Sequence, residues 1–249
     1  MSIQKVKYVH ILIFTSLFIP CLIFAQDSLQ YHAGSSSKNP QYLSLRRNVI
    51  PAGLITAGLL TEIGHIKYNL QDAIPRTHTR IENGIQYAPI VILYGADLMK
   101  IEHQNSVFNQ TKYLIFSEAA TAILTHLLKN TVREARPSGG YDSFPSGHTS
   151  QSFTAATVLF NEFEYDNKPV AWSGYLFSTA TGVLQVTNNR HWVPDVLTGA
   201  GVAVIVTNLV YYFHPLKNWD PFHGKDHVRI VPDIDPYLKS CSIRVSCLL

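Results

Sequence analysis

Three short segments hold the residue types that could manage a tetrahedral anion: Lys129-Asn-Thr-Val-Arg133-Glu-Ala-Arg136-Pro137, Pro145-Ser146-Gly147-His148 and Arg190-His191-Trp192-Val193-Pro194-Asp195. A phosphate monoester carries nearly two negative charges, so its site needs fixed cations and oriented N–H donors that do not reorganise during reaction. Lys129 and Arg136 are spaced by about two helical turns with Arg133 between them, which predicts one helix presenting all three near one face and ended by Pro137. Taken alone, such a run also describes a solvated helix end favoured by the C-terminal dipole. Ser146-Gly147-His148 opens an apolar stretch, and the N–H groups at a helix start bind anions where glycine permits close approach. Alone it is an ordinary N-cap and turn. In His191 and Asp195, a carboxylate bonded to one imidazole nitrogen would fix the tautomer and leave the other nitrogen to attack phosphorus. His148 would then protonate the departing alkoxide and later activate water. Asp195 alone would serve equally as a helix cap.

These segments must be carried by helices. Residues 49–62, 86–99, 112–132, 148–163, 170–187 and 195–213 are apolar-rich and separated by Gly, Pro or Asn turns, predicting about six helices. From residue 227 the texture changes. Cys241, Ile243, Val245 and Cys247 alternate with Ser240, Ser242, Arg244 and Ser246, the period of a half-buried strand, and Val228–Val231 is its candidate partner. The expected fold class is therefore all-α, a bundle of about six helices with a short C-terminal β-hairpin.

Lys5 and Lys7 precede an apolar run from Tyr8 to Phe24, with Ala25 and Gln26 at a plausible cleavage site, so residues 1–25 read as a signal peptide. The competing reading is an uncleaved anchor, which the run is slightly too short to favour. Cys21 lacks the small preceding residue of a lipoprotein signal, and no lipid anchor is expected. Losing this segment removes two lysines and no acids, taking the formal charge from +3 to +1, which excludes a polycation built for nucleic acid. Residues 26–249 hold no linker or repeat and are expected to form one domain, with residues 27–39 polar and loose. Cys241 and Cys247, if joined by extended strand, are about 20 Å apart and bridge only if the chain turns between them.

Val170–Thr187 and Val196–Phe213 contain no charged residue and approach spanning length. Against membrane residence, Glu118, His126 and Lys129 interrupt the run before them, and the mean hydropathy of +0.05 is low for a polytopic protein. A buried bundle helix can also be apolar all round. The expectation is an exported protein, periplasmic or membrane-associated and facing the periplasm. Its oligomeric state is not legible.

Taken together and in this order, the three segments resemble the type 2 phosphatidic acid phosphatase and vanadium haloperoxidase superfamily. That pattern runs Lys-x6-Arg-Pro, then Pro-Ser-Gly-His, then Ser-Arg-x5-His-x3-Asp. The resemblance spans Thr111 to Phe213, with a motif core over 111–213. It implies a helical bundle in which Lys129, Arg136, Ser146 and Gly147 hold phosphate, His148 is the acid/base, His191 forms the phosphoenzyme and Asp195 orients it. It departs at Gln185 and Leu184, where the family has arginine and serine. Glutamine donates a hydrogen bond but brings no charge, and losing one such stabiliser can cost on the order of 100-fold in rate. Arg190 and Arg133 are the nearby candidates to supply the missing cation.

The other histidines share no spacing with cysteines or acids, so neither a metal nor another cofactor is expected. Trp192 suits either a substrate pocket or packing. The resulting expectation is a metal-independent phosphatase acting on phosphomonoesters, with lipid phosphates or pyrophosphates foremost among its substrates. A vanadate-dependent haloperoxidase is the enzymatic alternative, and a non-catalytic anion- or lipid-binding protein is the alternative that Gln185 suggests.

Overall fold

The computed structural model describes residues 42–63, 65–213, 215–216 and 219, together with the backbone of 228–235 and 240–247. The expected signal peptide, residues 1–25, lies outside these. Eight helices succeed one another: α1 (Leu45–Thr61), α2 (Ile66–Ala73), α3 (Glu82–Ile85), α4 (Ala88–Leu98), α5 (Val107–Val132), α6 (Gly147–Phe163), α7 (Lys168–Thr187) and α8 (Val193–Tyr212).

The starts and stops of the helices that bear the motifs follow from local chemistry. Ser106 caps α5 by accepting from Asn109 N, and Asn167 caps α7 by accepting from Val170 N at 3.2 Å. At the other end of α5 the sequence expectation needs correction. The helix stops at Val132, well before Pro137, because Arg133 adopts a left-handed conformation (φ 47°, ψ 43°) and closes the last turn onto Lys129 O. Lys129 and Arg136 therefore do not share a helical face, and a loop brings them together.

α6 runs through the middle of the bundle, with Ala155, Ala156, Val158, Leu159 and Phe163 essentially buried. It packs on α5, α7 and α8. A second core, between α1, α5 and α8, gathers Ile55, Leu128, Val132, Phe144, Val202, Ile205 and Val206. Buried hydroxyls along these contacts satisfy one another across helices: Thr154 with Thr121 at 3.0 Å and Ser152 with Ser178 at 2.8 Å. Close approach matters most at Gly199 of α8. A Cβ there would meet Ser150 Oγ at 2.9 Å and Ser146 O at 3.0 Å. That glycine lets α8 lie against the start of α6.

The expected architecture is corrected in two respects. The helices number eight among the described residues rather than six, because α2 and α3 are too short to show a periodic pattern. The compact unit ending at Tyr212 contains no strand among its described residues, so the C-terminal β-hairpin is not supported as part of this fold. The backbone pairing of 228–235 with 240–247 falls in a separate unit, Phe213–Leu249.

Of the two charge-free runs, the one in α8 is long and apolar enough to cross a bilayer by length and composition, yet 72% of that stretch is buried inside the protein. The run in α7, richer in Ser, Thr and Gly, falls short of that apolarity.

Candidate active site

The loop from Arg133 to Ser146 joins α5 to α6 and holds the first pair of cations. Gly139 and Gly140, at φ 92° and 88°, make the turn that lets Arg136 N donate to Gly140 O at 3.1 Å. The loop then doubles back. Its carbonyls accept from both cations: Asp142 O from Lys129 Nζ at 2.7 Å and Tyr141 O from Arg136 Nε at 3.2 Å. Burial and the neighbouring Arg136 charge pull Lys129 down to about 8. Arg133, by contrast, is exposed at the helix cap.

Ser146 is the N-cap of α6 and is fully buried. Its N–H donates to Asp195 O at 3.1 Å and its Oγ accepts from Thr149 Oγ1 at 3.0 Å. The cradle therefore begins with the amides of Gly147 and the residues after it, together with the Ser146 hydroxyl proton. A Cβ on Gly147 would point at Lys129, 4.0 Å from Cε. The helix start and the ammonium thus face a common space.

The third segment follows α7. Asn189 takes a left-handed conformation (φ 58°), and the turn closes with Arg190 N and His191 N both donating to Gln185 O, at 3.0 and 3.2 Å. Asp195 lies in the first turn of α8, fully buried. Three donors converge on its Oδ2: Ser143 Oγ at 2.5 Å, Trp192 N at 2.9 Å and His191 Nδ1 at 3.3 Å. This network assigns the His191 proton to Nδ1 and leaves the lone pair on Nε2. Asp195 Oδ1 has no partner. Burial lowers the His191 pKa despite the opposing carboxylate, which favours the neutral imidazole.

His148 is half-buried on the first turn of α6, with Nε2 3.1 Å from Asn83 Oδ1 of α3. Its pKa too is lowered, by burial first and then by the proximity of His191, Arg190 and Arg136. These mutual effects bring all three segments to one place. Lys129, Arg136, Ser146, Gly147, His148, Arg190, His191 and Asp195 all belong to it.

With this geometry in view, similarity to known proteins becomes informative. A family model described as the PAP2 superfamily matches residues 110–219. The matched stretch, which contains all three segments, is similar to that superfamily. It is 29% identical over 180 residues to a lipid A 1-phosphatase of Porphyromonas gingivalis, an alignment covering 68% of this chain and 39% of that relative. The chain thus spans well under half of that protein. Among solved structures, Aquifex aeolicus LpxE aligns at TM-score 0.46 and 19% identity, over 60% of this chain and 94% of that one. A transmembrane PAP2 type phosphatidylglycerolphosphate phosphatase from Bacillus subtilis aligns at 0.41 and 18%, over 83% and 98%.

Gln185, at the PAP2 arginine position, is 1% exposed, and neither its amide oxygen nor its nitrogen has a partner. Its backbone carbonyl is nonetheless what shapes the turn before His191. Trp192 packs rather than opening a pocket: Nε1 donates to Ala135 O at 2.8 Å and the ring meets Tyr68 edge-on at 5.2 Å. Behind it Lys67 bonds both Glu62 and Glu134, a buried ionic triad tying α1 and α2 to the loop. Burial and the Asp195 charge push the Glu134 carboxyl up.

Three residues escaped sequence reasoning. Ser143 sits just before the Pro-Ser-Gly-His segment, and its hydroxyl was a signal that could have been read. Glu82 and Asn83 lie more than 60 positions upstream of His148, and no local pattern marks them. No group of three His, Cys, Asp or Glu residues able to hold a metal occurs among the described residues.

Proposed function

We propose that this protein is a phosphatase releasing inorganic phosphate from lipid phosphates through a phosphohistidine, without a metal. The observation that carries the reading is the His191–Asp195 pair, with its proton fixed on Nδ1, set beside the cradle of α6 and Lys129. His191 Nε2 attacks phosphorus as the ester P–O bond breaks, and His148 gives its proton to the leaving alkoxide. The substrate's own negative charge favours the imidazolium of His148 and offsets the effect of its burial. His148 then takes a proton from water, whose oxygen attacks phosphorus, breaks the P–N bond and restores His191. Lys129, Arg136, Ser146 Oγ and the α6 amides stabilise the charge spread over the transferring oxygens.

Two observations support a lipid substrate. The relative in Porphyromonas gingivalis is named for action on lipid A. Large apolar side chains stand exposed along α5 and at the end of α4, among them Ile115, Ile123, Leu127, Leu98 and Met99, and would suit docking on a bilayer. The reading includes export, with the site facing the periplasm.

One observation favours a second reading. Gln185 brings no charge and its amide is unpartnered, as expected if the site only binds anions. Phosphate release by the purified protein from lipid phosphates, prenyl pyrophosphates and soluble monoesters decides. Turnover abolished in His191→Ala supports the enzyme. Anion binding without release by the wild type supports the binder.

A further inference from the structure

Helix α3 is only one turn long, yet adjacent residues on it touch two different parts of the site. Glu82 is completely buried, with Oε1 3.3 Å from Arg190 Nη2. Asn83 Oδ1 is 3.1 Å from His148 Nε2. The segment before α3 is fixed to the very turn that bears Arg190. Thr77 N donates to Thr187 O at 2.8 Å, and Asn188 Oδ1 accepts from Thr79 N at 3.0 Å and from Thr77 Oγ1 at 2.9 Å. α3 is therefore held in register with residues 187–190.

A wholly buried carboxylate is costly without a cation, and a long arginine side chain is mobile without an anchor. Each resolves the other's problem here. Glu82 Oε1 meets one amino group of Arg190 as an ion pair without hydrogen-bond alignment and has no other partner, so the attraction between them is electrostatic. The Arg190 side chain is 35% exposed. Its charge and that of Glu82 both act on His148, so the pair lies within electrostatic range of the acid/base.

We propose that Glu82 and Asn83 are positioning residues: Glu82 anchors Arg190 where it supplies the phosphate-binding charge that Gln185 lacks, and Asn83 sets the orientation of His148. This rests on the phosphatase reading for its catalytic part. Arg190 touches the substrate, whereas Glu82 and Asn83 act through their partners.

The test is a double-mutant cycle of Glu82→Gln and Arg190→Ala in the full protein, read by kcat, KM and the shift in Tm produced by orthovanadate. Arg190→Ala is expected to lower kcat/KM by roughly 100-fold. Glu82→Gln should lower it by about 10-fold or more, and the double variant should be no worse than Arg190→Ala alone. Asn83→Ala should move the pH profile of kcat while leaving the vanadate shift intact. Tighter vanadate binding in Glu82→Gln would overturn the proposal, since Glu82 would then be withholding Arg190 from the anion. Additive losses, or a lower Tm with kcat/KM unchanged, would also overturn it by making Glu82 merely structural. If Glu82→Gln does not fold, Glu82→Asp replaces it with the same expectations. Should the wild type release no phosphate, the vanadate shift still reports the Glu82–Arg190 coupling, and only the enzymatic reading falls.

Discussion

Replacing Ser143 with alanine isolates one of the three donors on Asp195 Oδ2. The bond is 2.5 Å long and buried at both ends, and its acceptor is a carboxylate oxygen. Hydrogen bonds to charged groups contribute about 1.5–3 kcal/mol. Asp195 has no slack to absorb the loss, since Oδ1 is already unpartnered and the carboxylate is out of reach of bulk water. If the whole effect reaches the transition state through the tilt of His191, kcat falls roughly 10- to 150-fold, because about 1.4 kcal/mol is a factor of ten. Ser143 is not proposed to touch substrate, so KM should change little. The assay is steady-state phosphate release with Tm measured alongside. Ser143→Ala combined with Asp195→Asn should cost no more than Asp195→Asn alone. A folded Ser143→Ala enzyme within twofold of wild-type kcat would refute the idea that Oδ2 needs all three donors.

His191→Ala should abolish turnover with the fold intact, and His148→Ala should remove most of it, as phosphate release together with circular dichroism will show. Activity should survive EDTA, and loss on chelation with recovery on adding magnesium or zinc would contradict the proposed chemistry. Lys129, held down to about 8, loses its charge as pH rises through that value. kcat/KM should therefore fall above about pH 8, and Lys129→Arg should remove that limb because guanidinium does not deprotonate there. Gln185→Arg should raise activity if its buried position accepts the longer side chain; a folded variant with unchanged or lower rate would give the glutamine a role of its own. Gly199→Ala should lower both Tm and kcat, since its Cβ presses on Ser146 O, and a normal rate would show that the α6 cradle tolerates displacement.

The helices that bear the motifs were legible because long apolar segments end at visible turn residues. Each of the three segments also carries chemistry that is ambiguous alone and specific in combination. The end of α5 was not legible. Arg133 stops it in a left-handed conformation more typical of glycine, so composition pointed on to Pro137. α2 and α3 are too short to impose a period, and α3 holds Glu82 and Asn83, whose partners are distant in sequence. The PAP2 resemblance marks the groups proposed to touch phosphate. Ser143, Glu82 and Asn83 contact Asp195, Arg190 and His148 instead, so a motif built from anion contacts passes over them. The fate of the charge missing at Gln185 was visible only as a question, because Arg190 acquires its meaning from a carboxylate that folding brings beside it.

The occupation of Nδ1 by Asp195 has a regiochemical consequence. Imidazole can carry a phosphoryl group on either nitrogen, giving two isomers, π and τ, with different hydrolytic lifetimes and different phosphorus resonances. With the π nitrogen protonated and turned into the carboxylate of a buried aspartate, a phosphoryl group has no room there. Any phosphohistidine trapped on this protein should therefore be a single isomer, the τ form.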